Sequence, residues 1–331
     1  MKIAVLGAGS IGCYLGGLLM AGRADVTLIG RARIAAQIAR HGLTLKHFSR
    51  PPLTLRSVNF QTGYDSLRAA DVILLCTKSQ DTAEAAALIA QYGPPDVQVI
   101  SFQNGIRNPQ ILQSILPGAS IIPGIVPFNV TSAGPGVFHC GTAGNLTTGQ
   151  GVNPAVLAAF KAAGASIDVD PDIAAAQWAK MIVNLNNALN ALSGGTLREG
   201  LAQRDYRRAL ALCVEEGLAV ARANGIEPSS FNGRSPAQLL KTLRFPNWLY
   251  GLVMQLIVKI DAKARSSMLD DLEAGRVSEI DYLQGEIVAR AKTAGIAAPH
   301  NAKILDMINA AFAAGVSPKL SGTQILDALM R

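Results

Sequence analysis

The N-terminal stretch Lys2-Ile3-Ala4-Val5-Leu6-Gly7-Ala8-Gly9-Ser10-Ile11-Gly12 constrains this chain more than any other. Five residues, apolar after the lysine, stop at a glycine, which reads as a buried parallel strand. Gly7, Gly9 and Gly12 then fit G-x-G-x-x-G. In that pattern the first glycine makes a tight turn, and the second lets a pyrophosphate approach the backbone. The third packs a helix closely on the strand, and the helix N-terminus offers its free N–H groups to phosphate. Residues 7–12, including Ala8, Ser10 and Ile11, are therefore expected to hold a dinucleotide. A second strand at residues 26–29 completes the context that a lone glycine motif lacks.

The residue after that second strand bears on which dinucleotide. An acid there binds a ribose 2′-hydroxyl, whereas an arginine accommodates a 2′-phosphate. Here Gly30 is followed by Arg31, with Arg33 close behind and no carboxylate between Asp25 and Asp65. NADP(H) is the expected cofactor. The competing reading is that Arg31 and Arg33 only begin the next helix as solvated charges.

The 331 residues suffice for two domains, and 49% hydrophobic residues with 32 glycines suit an α/β enzyme. A net charge of +7 could suggest nucleic acid. The basic residues are dispersed, however, so anionic small ligands explain it better and no nucleic-acid partner is expected. Cys13, Cys76, Cys140 and Cys213 are scattered and none forms C-x-x-C, which argues for reduced thiols in a cytoplasmic protein and for no metal site. No apolar run reaches the roughly 18 residues of a membrane span. The glycines breaking residues 7–17 argue against a signal peptide.

Further along, residues 43–60 alternate in a way that suggests a small antiparallel excursion at the sheet edge. Residues 71–76 form a buried strand running into Lys78. A lysine just past a parallel strand's C-terminal end lies on the ligand-binding edge of an open α/β sheet. The next strand, 97–101, delivers Asn104 to the same edge, although Asn104-Gly105 also reads as a plain turn. Strand signals nearly vanish after Pro171. The expected architecture is a Rossmann-like doubly wound sheet over residues 1–170, binding the cofactor, and an all-helical domain over 171–331, holding the substrate and catalytic groups.

That second half opens with a helix expected over residues 173–193, carrying Lys180, Asn184, Asn186, Asn187 and Asn190. Around a helix, Asn184 and Asn187 lie about 40° and about 20° from Lys180, so the three share a face. Such a stripe is either a structural hydrogen-bond network or a substrate pocket with a proton donor. An apolar helix over 248–260 could pack within the domain or across a homodimer. Gly275 reads as a helix stop, and Ser278 with Asp281 as a capping box that would put Glu279 in a new helix's first turn.

Together these motifs resemble the ketopantoate reductase family, the NADPH-dependent 2-dehydropantoate 2-reductases, over essentially the whole chain. The resemblance rests on Gly7-x-Gly9-x-x-Gly12 with Arg31, the Lys78 strand end, and Gln103-Asn104-Gly105. It continues through Trp178-x-Lys180-x-x-x-Asn184, Ser266-Ser267-Met268-Leu269 and Glu279-Ile280-Asp281-Tyr282. It implies Lys180 as proton donor and Glu279 as the acid supporting lysine and substrate. Asn104 would bridge cofactor and substrate, Asn184 and Ser267 would bind substrate oxygens, and Arg31 and Lys78 would serve NADPH. The implied reaction reduces 2-dehydropantoate to pantoate, in pantothenate biosynthesis. Three positions depart from the family pattern: Ala188, where a second asparagine is common and Asn187 could substitute; Ala264; and Arg107. They keep open a paralogue reducing another branched 2-keto acid. A non-catalytic NADP(H)-binding sensor would need neither Lys180 nor Glu279.

Overall fold

A computed structural model describes residues 1–231, 233–257 and 264–331. It divides into two compact units, Met1–Ile173 and Ala174–Arg331. The strands of the first are β1 (Lys2–Leu6), β2 (Asp25–Ile29), β3 (Leu43–His47), β4 (Arg50–Leu55), β5 (Phe60–Gln61) and β6 (Val72–Leu75). They continue with β7 (Gln98–Ser101), β8 (Ser120–Ile125), β9 (Val130–Ser132), β10 (Val137–Cys140), β11 (Leu146–Thr148) and β12 (Ile167–Val169).

Eight strands form one sheet in the order β12-β11-β8-β7-β6-β1-β2-β5. Every neighbouring pair is parallel except β8 with β11. Side chains alternate across a strand, so a sheet covered on both faces needs continuous apolar runs. Val5, Leu28, Val72, Leu74 and Ile100 accordingly pack in one core with Cys13, Leu15 and Leu19. Their neighbours Ala4, Leu6, Ile73, Leu75 and Val99 face a second core with Ala85, Ile89 and Leu112. The chain leaves β1 for β2 on one side and β6 lies on the other. The fingerprint loop thus sits at the point where the strand order reverses, which is where such sheets bind ligands.

The excursion over residues 43–60 is not at the edge of this sheet. β3 and β4 pair antiparallel as expected, but with β10 and β9 they make a separate four-stranded sheet, β4-β3-β10-β9. Burial explains this. Gly17 of helix Ser10–Ala21 leaves room for Leu43 and Leu45, since a Cβ there would meet their methyl carbons at 2.9–3.0 Å. Only β5 reaches the large sheet. β10 is antiparallel to β9 and β11 to β8, in different sheets.

The second unit is helical, with a single bridge between Phe231 and Arg234 as its only pairing among the described residues. Its longest helix there, Arg204–Ala223, packs against Gly322–Leu329, Pro236–Leu243, Gln284–Ala294 and Pro299–Ala314. Glu216 of that helix accepts the backbone N–H groups of His300 (2.8 Å) and Asn301 (2.9 Å), filling the N-terminus of Pro299–Ala314 from across the interface. Arg207 is fully buried, with no carboxylate against it among the described residues. Its guanidinium donates to the carbonyls of Leu201, Ala202, Leu243 and Phe245 and to Asn247 Oδ1, and lies 4.1 Å from the centre of the Tyr250 ring.

Three sequence expectations change here. The helix over 173–193 is interrupted at Leu185, giving Ile173–Asn184 and Asn186–Ser193. Ser278 does not open an α-helix. Its hydroxyl accepts the Ile280 N–H (3.1 Å), Glu279 precedes a short 3₁₀ turn at Ile280–Tyr282, and the helix proper begins at Gln284. Finally, the helix expected over 248–260 runs Asn247–Ile257, and residues 258–260 of that expectation lie outside the described residues.

Candidate functional site

In the first unit the glycine roles are visible as space. Gly7 has φ +97°, and a Cβ there would lie 2.5 Å from Thr77 N and 2.7 Å from Cys76 C. Only glycine fits such a turn. A Cβ on Gly12 would lie 2.3 Å from Gly7 O, so the helix is pressed against the loop. A Cβ on Gly9 would meet nothing within 4 Å, which leaves its face of the loop open. Gly7 N and Ala8 N both donate to Ile29 O, at 3.1 and 2.9 Å, tying the loop to the end of β2. Helix Ser10–Ala21 has no side-chain cap, and helix geometry gives Ser10, Ile11 and Gly12 no acceptor four residues back within it. An open backbone face before an uncapped helix N-terminus suits a dinucleotide pyrophosphate.

Around this loop lie the other first-unit candidates. Arg31 is exposed, two residues beyond the Ile29 carbonyl that anchors Gly7 and Ala8. Lys78 and Asn104, both part-buried, follow the C-terminal ends of β6 and β7. A buried polar network holds those two ends in register. The Gln103 amide accepts the Ser101 hydroxyl (2.9 Å) and donates to Thr82 Oγ1 (2.9 Å), Thr77 Oγ1 (3.2 Å) and the carbonyls of Thr77 and Lys78 (both 3.3 Å). Asn108, 1% exposed, donates to Asn104 O at 2.5 Å, and the Ser79 hydroxyl donates to the same oxygen at 2.8 Å. Satisfied buried networks of this kind are rigid. Sequence reading missed the part played by Asn108; its signal was a polar residue beside Pro109 at a helix start.

In the second unit Lys180 and Glu279 come together. Lys180 is part-buried on helix Ile173–Asn184, and Glu279 is 7% exposed. Burial lowers the Lys180 ammonium to about 8, and the Glu279 carboxylate opposes that lowering. At neutral pH the lysine therefore keeps its proton while holding it less tightly than a surface lysine.

The asparagine stripe divides into two kinds. Asn186 Oδ1 accepts the Tyr206 hydroxyl at 2.8 Å. Asn190, fully buried, accepts the Ser266 N–H at 2.9 Å and donates to Gly195 O at 3.0 Å. These two are structural. The side chains of Asn184 and Asn187 are part-buried and have no hydrogen-bond partner among the described residues. Ser266 caps helix Ser267–Glu273 by accepting the Leu269 N–H (3.2 Å), and its hydroxyl donates to Asn187 O (3.1 Å). Ser267 is thereby held next to Asn187. Ala188 is fully buried, so its side chain offers the site nothing.

Among the described residues no group of three or more His, Cys, Asp or Glu side chains is placed to hold a metal ion, and no helix is long and apolar enough to cross a membrane.

Comparison with known proteins covers both units. The family model for ketopantoate reductase PanE/ApbA matches residues 3–153, and the model for its C-terminal domain matches residues 172–312. A 2-dehydropantoate 2-reductase of Pyrococcus horikoshii is 31% identical over 321 residues, covering 94% of this chain and 97% of its own. The crystal structure of a PanE/ApbA family ketopantoate reductase from Ralstonia eutropha superposes with TM-score 0.82 at 29% identity, over 95% of this chain and 99% of that one. A D-mandelate dehydrogenase solved with NADH and anilino(oxo)acetate shares the fold at TM-score 0.74 and 20% identity, over 95% and 99% of the two chains. On these matches along its length, the chain belongs to the ketopantoate reductase PanE/ApbA family.

Proposed function

We propose that the chain is an NADPH-dependent 2-dehydropantoate 2-reductase, reducing the 2-keto group to the alcohol of pantoate in pantothenate biosynthesis in the cytoplasm. The observation that carries the reading is the part-buried lysine opposed by a buried acid, Lys180 with Glu279. A non-catalytic dinucleotide sensor has no use for that pair.

When bound, the reduced nicotinamide supplies hydride to the 2-keto carbon. The oxygen of that carbonyl becomes an alkoxide and needs both a proton and positive charge beside it. Lys180 provides both, transferring a proton from Nζ to the oxygen. Glu279 keeps the ammonium protonated at working pH and fixes its position. Asn184, Asn187 and Ser267 present unengaged amide and hydroxyl groups to the substrate's carboxylate and hydroxyl oxygens. Asn104, held by Asn108 and Ser79, positions substrate against cofactor.

The first unit is the cofactor domain and the second the substrate and catalytic domain. Residues 7–12 hold the pyrophosphate. Arg31 and Lys78 meet the 2′-phosphate, and the lack of an acid after β2 favours NADPH over NADH.

The test is loss of reduced-nicotinamide absorbance with 2-dehydropantoate, comparing wild type with Lys180→Ala. Turnover by the wild type that collapses in the variant, with NADPH binding retained, supports the reading. A wild type that binds NADPH but leaves 2-dehydropantoate unreduced transfers it to another branched 2-keto acid.

A further inference from the structure

Lys180 and Glu279 lie on distant segments, and their separation is set by whatever ties those segments together. One polar side chain does so directly. Gln284 is fully buried, and its Nε2 donates to Leu185 O at 2.8 Å across 99 positions of sequence. Leu185 is the residue at which the lysine-bearing helix is interrupted, five positions after Lys180. Gln284 is the first residue of helix Gln284–Ala294, five positions after Glu279. The segment between is tightly wound: Tyr282 N donates to Glu279 O (2.9 Å) and Leu283 N to Ile280 O (3.1 Å), with Ile280 and Leu283 both buried. The result is a closed circuit. One short segment runs from lysine to carbonyl, another from acid to amide, with the hydrogen bond at one end and the charge pair at the other.

The amide is retained at a cost. Gln284 Oε1 is buried with no hydrogen-bond partner among the described residues, which an apolar side chain of the same length would avoid. Its donor half is what the site uses. The nearby Arg290 lies 5.7 Å from the centre of the Trp178 ring and binds Glu286 at 2.6 Å, so the cation on this helix is matched elsewhere.

We propose that Gln284 is a positioning residue for the reduction, holding Glu279 against Lys180 through the Leu185 carbonyl. This rests on the reductase reading above. Gln284→Met keeps length and packing and removes the donor. In the full chain with NADPH and 2-dehydropantoate it lowers kcat about 10-fold. It also moves the high-pH limb of the kcat profile to lower pH, because an acid no longer held in place supports the ammonium less. NADPH affinity, which belongs to the other unit, is unchanged.

The decisive comparison is Glu279→Gln in both backgrounds. Its cost in Gln284→Met is smaller than in the wild type by about the 10-fold that Gln284→Met itself costs, because that change has already removed this part of the same contact. An unshifted limb with additive costs overturns the proposal while leaving the reductase reading intact. A wild type that does not turn over overturns both. Should Gln284→Met fail to fold, Gln284→Asn keeps an amide one methylene too short to reach Leu185, and the same shift and the same loss of additivity decide the matter.

Discussion

The two units make their site candidates from opposite materials. In Met1–Ile173 the phosphate loop is made of backbone, and its key residues act by having no side chain: Gly7 turns, Gly12 lies against Gly7 O, and Gly9 leaves a face open. In Ala174–Arg331 the candidates are side chains, Lys180, Asn184, Asn187, Ser267 and Glu279, supplied by segments far apart in the sequence. A backbone site is specified by spacing along one short segment. A side-chain site is specified by contacts that no short segment contains.

Substitutions can break that contrast or sharpen it. The largest effect is expected from Lys180→Ala, with kcat falling by about 10²–10⁴ while NADPH affinity, measured by fluorescence titration, stays as in the wild type. In the wild type itself kcat should fall as pH rises through about 8, since the proposed mechanism uses protonated Lys180. The sign for stability is opposite to that for activity. Burial holds the lysine below its ordinary value, so the fold loses stability as pH falls through that interval, and Lys180→Met should melt no lower than wild type.

Next comes Gly12→Ala. The added carbon would overlap Gly7 O, costing about 1–3 kcal/mol of stability by thermal melting and disrupting NADPH binding together with it. Arg31→Ala should be milder and selective, raising the Kd for NADPH about 10–100-fold with little change for NADH. An equal effect on both cofactors would show that Arg31 does not read the 2′-phosphate. The smallest structural effect belongs to Gly9→Ala: with open space at that Cβ and φ −88°, the melting temperature should barely move, while cofactor affinity weakens. A large drop in stability there would mean the open face has a structural role after all.

The same contrast decided what was legible in the sequence. The β1 fingerprint, the parallel strands and the change to helices near residue 170 follow from local period and glycine spacing, and all are present in the fold. The second sheet was not legible, because it depends on Leu43 and Leu45 meeting Gly17, a contact that no local pattern announces. Nor was the sorting of the asparagines. Asn186 and Asn190 are structural only because Tyr206 and Ser266 reach them from elsewhere. Helical angles drawn through Asn184 and Asn187 assumed a continuous helix, and the interruption at Leu185 is tied to a glutamine far along the chain. Periodicity placed Lys180 on a polar face without deciding its role, and only the resemblance to a known family gave Lys180 and Glu279 their parts.

Arg207 bears on how the alkaline behaviour of this protein will read. Burial lowers the Arg207 guanidinium, but from an ordinary value far above the range in which Lys180 titrates, and it is bound to carbonyls and an amide, with no carboxylate against it among the described residues. The anchorage of residues 243–247 to the longest helix is therefore expected to outlast the deprotonation of Lys180 as pH rises. Activity lost between neutral and moderately alkaline pH should return in full when the solution is neutralised, marking it as a proton leaving one amine and not as the helical unit coming apart.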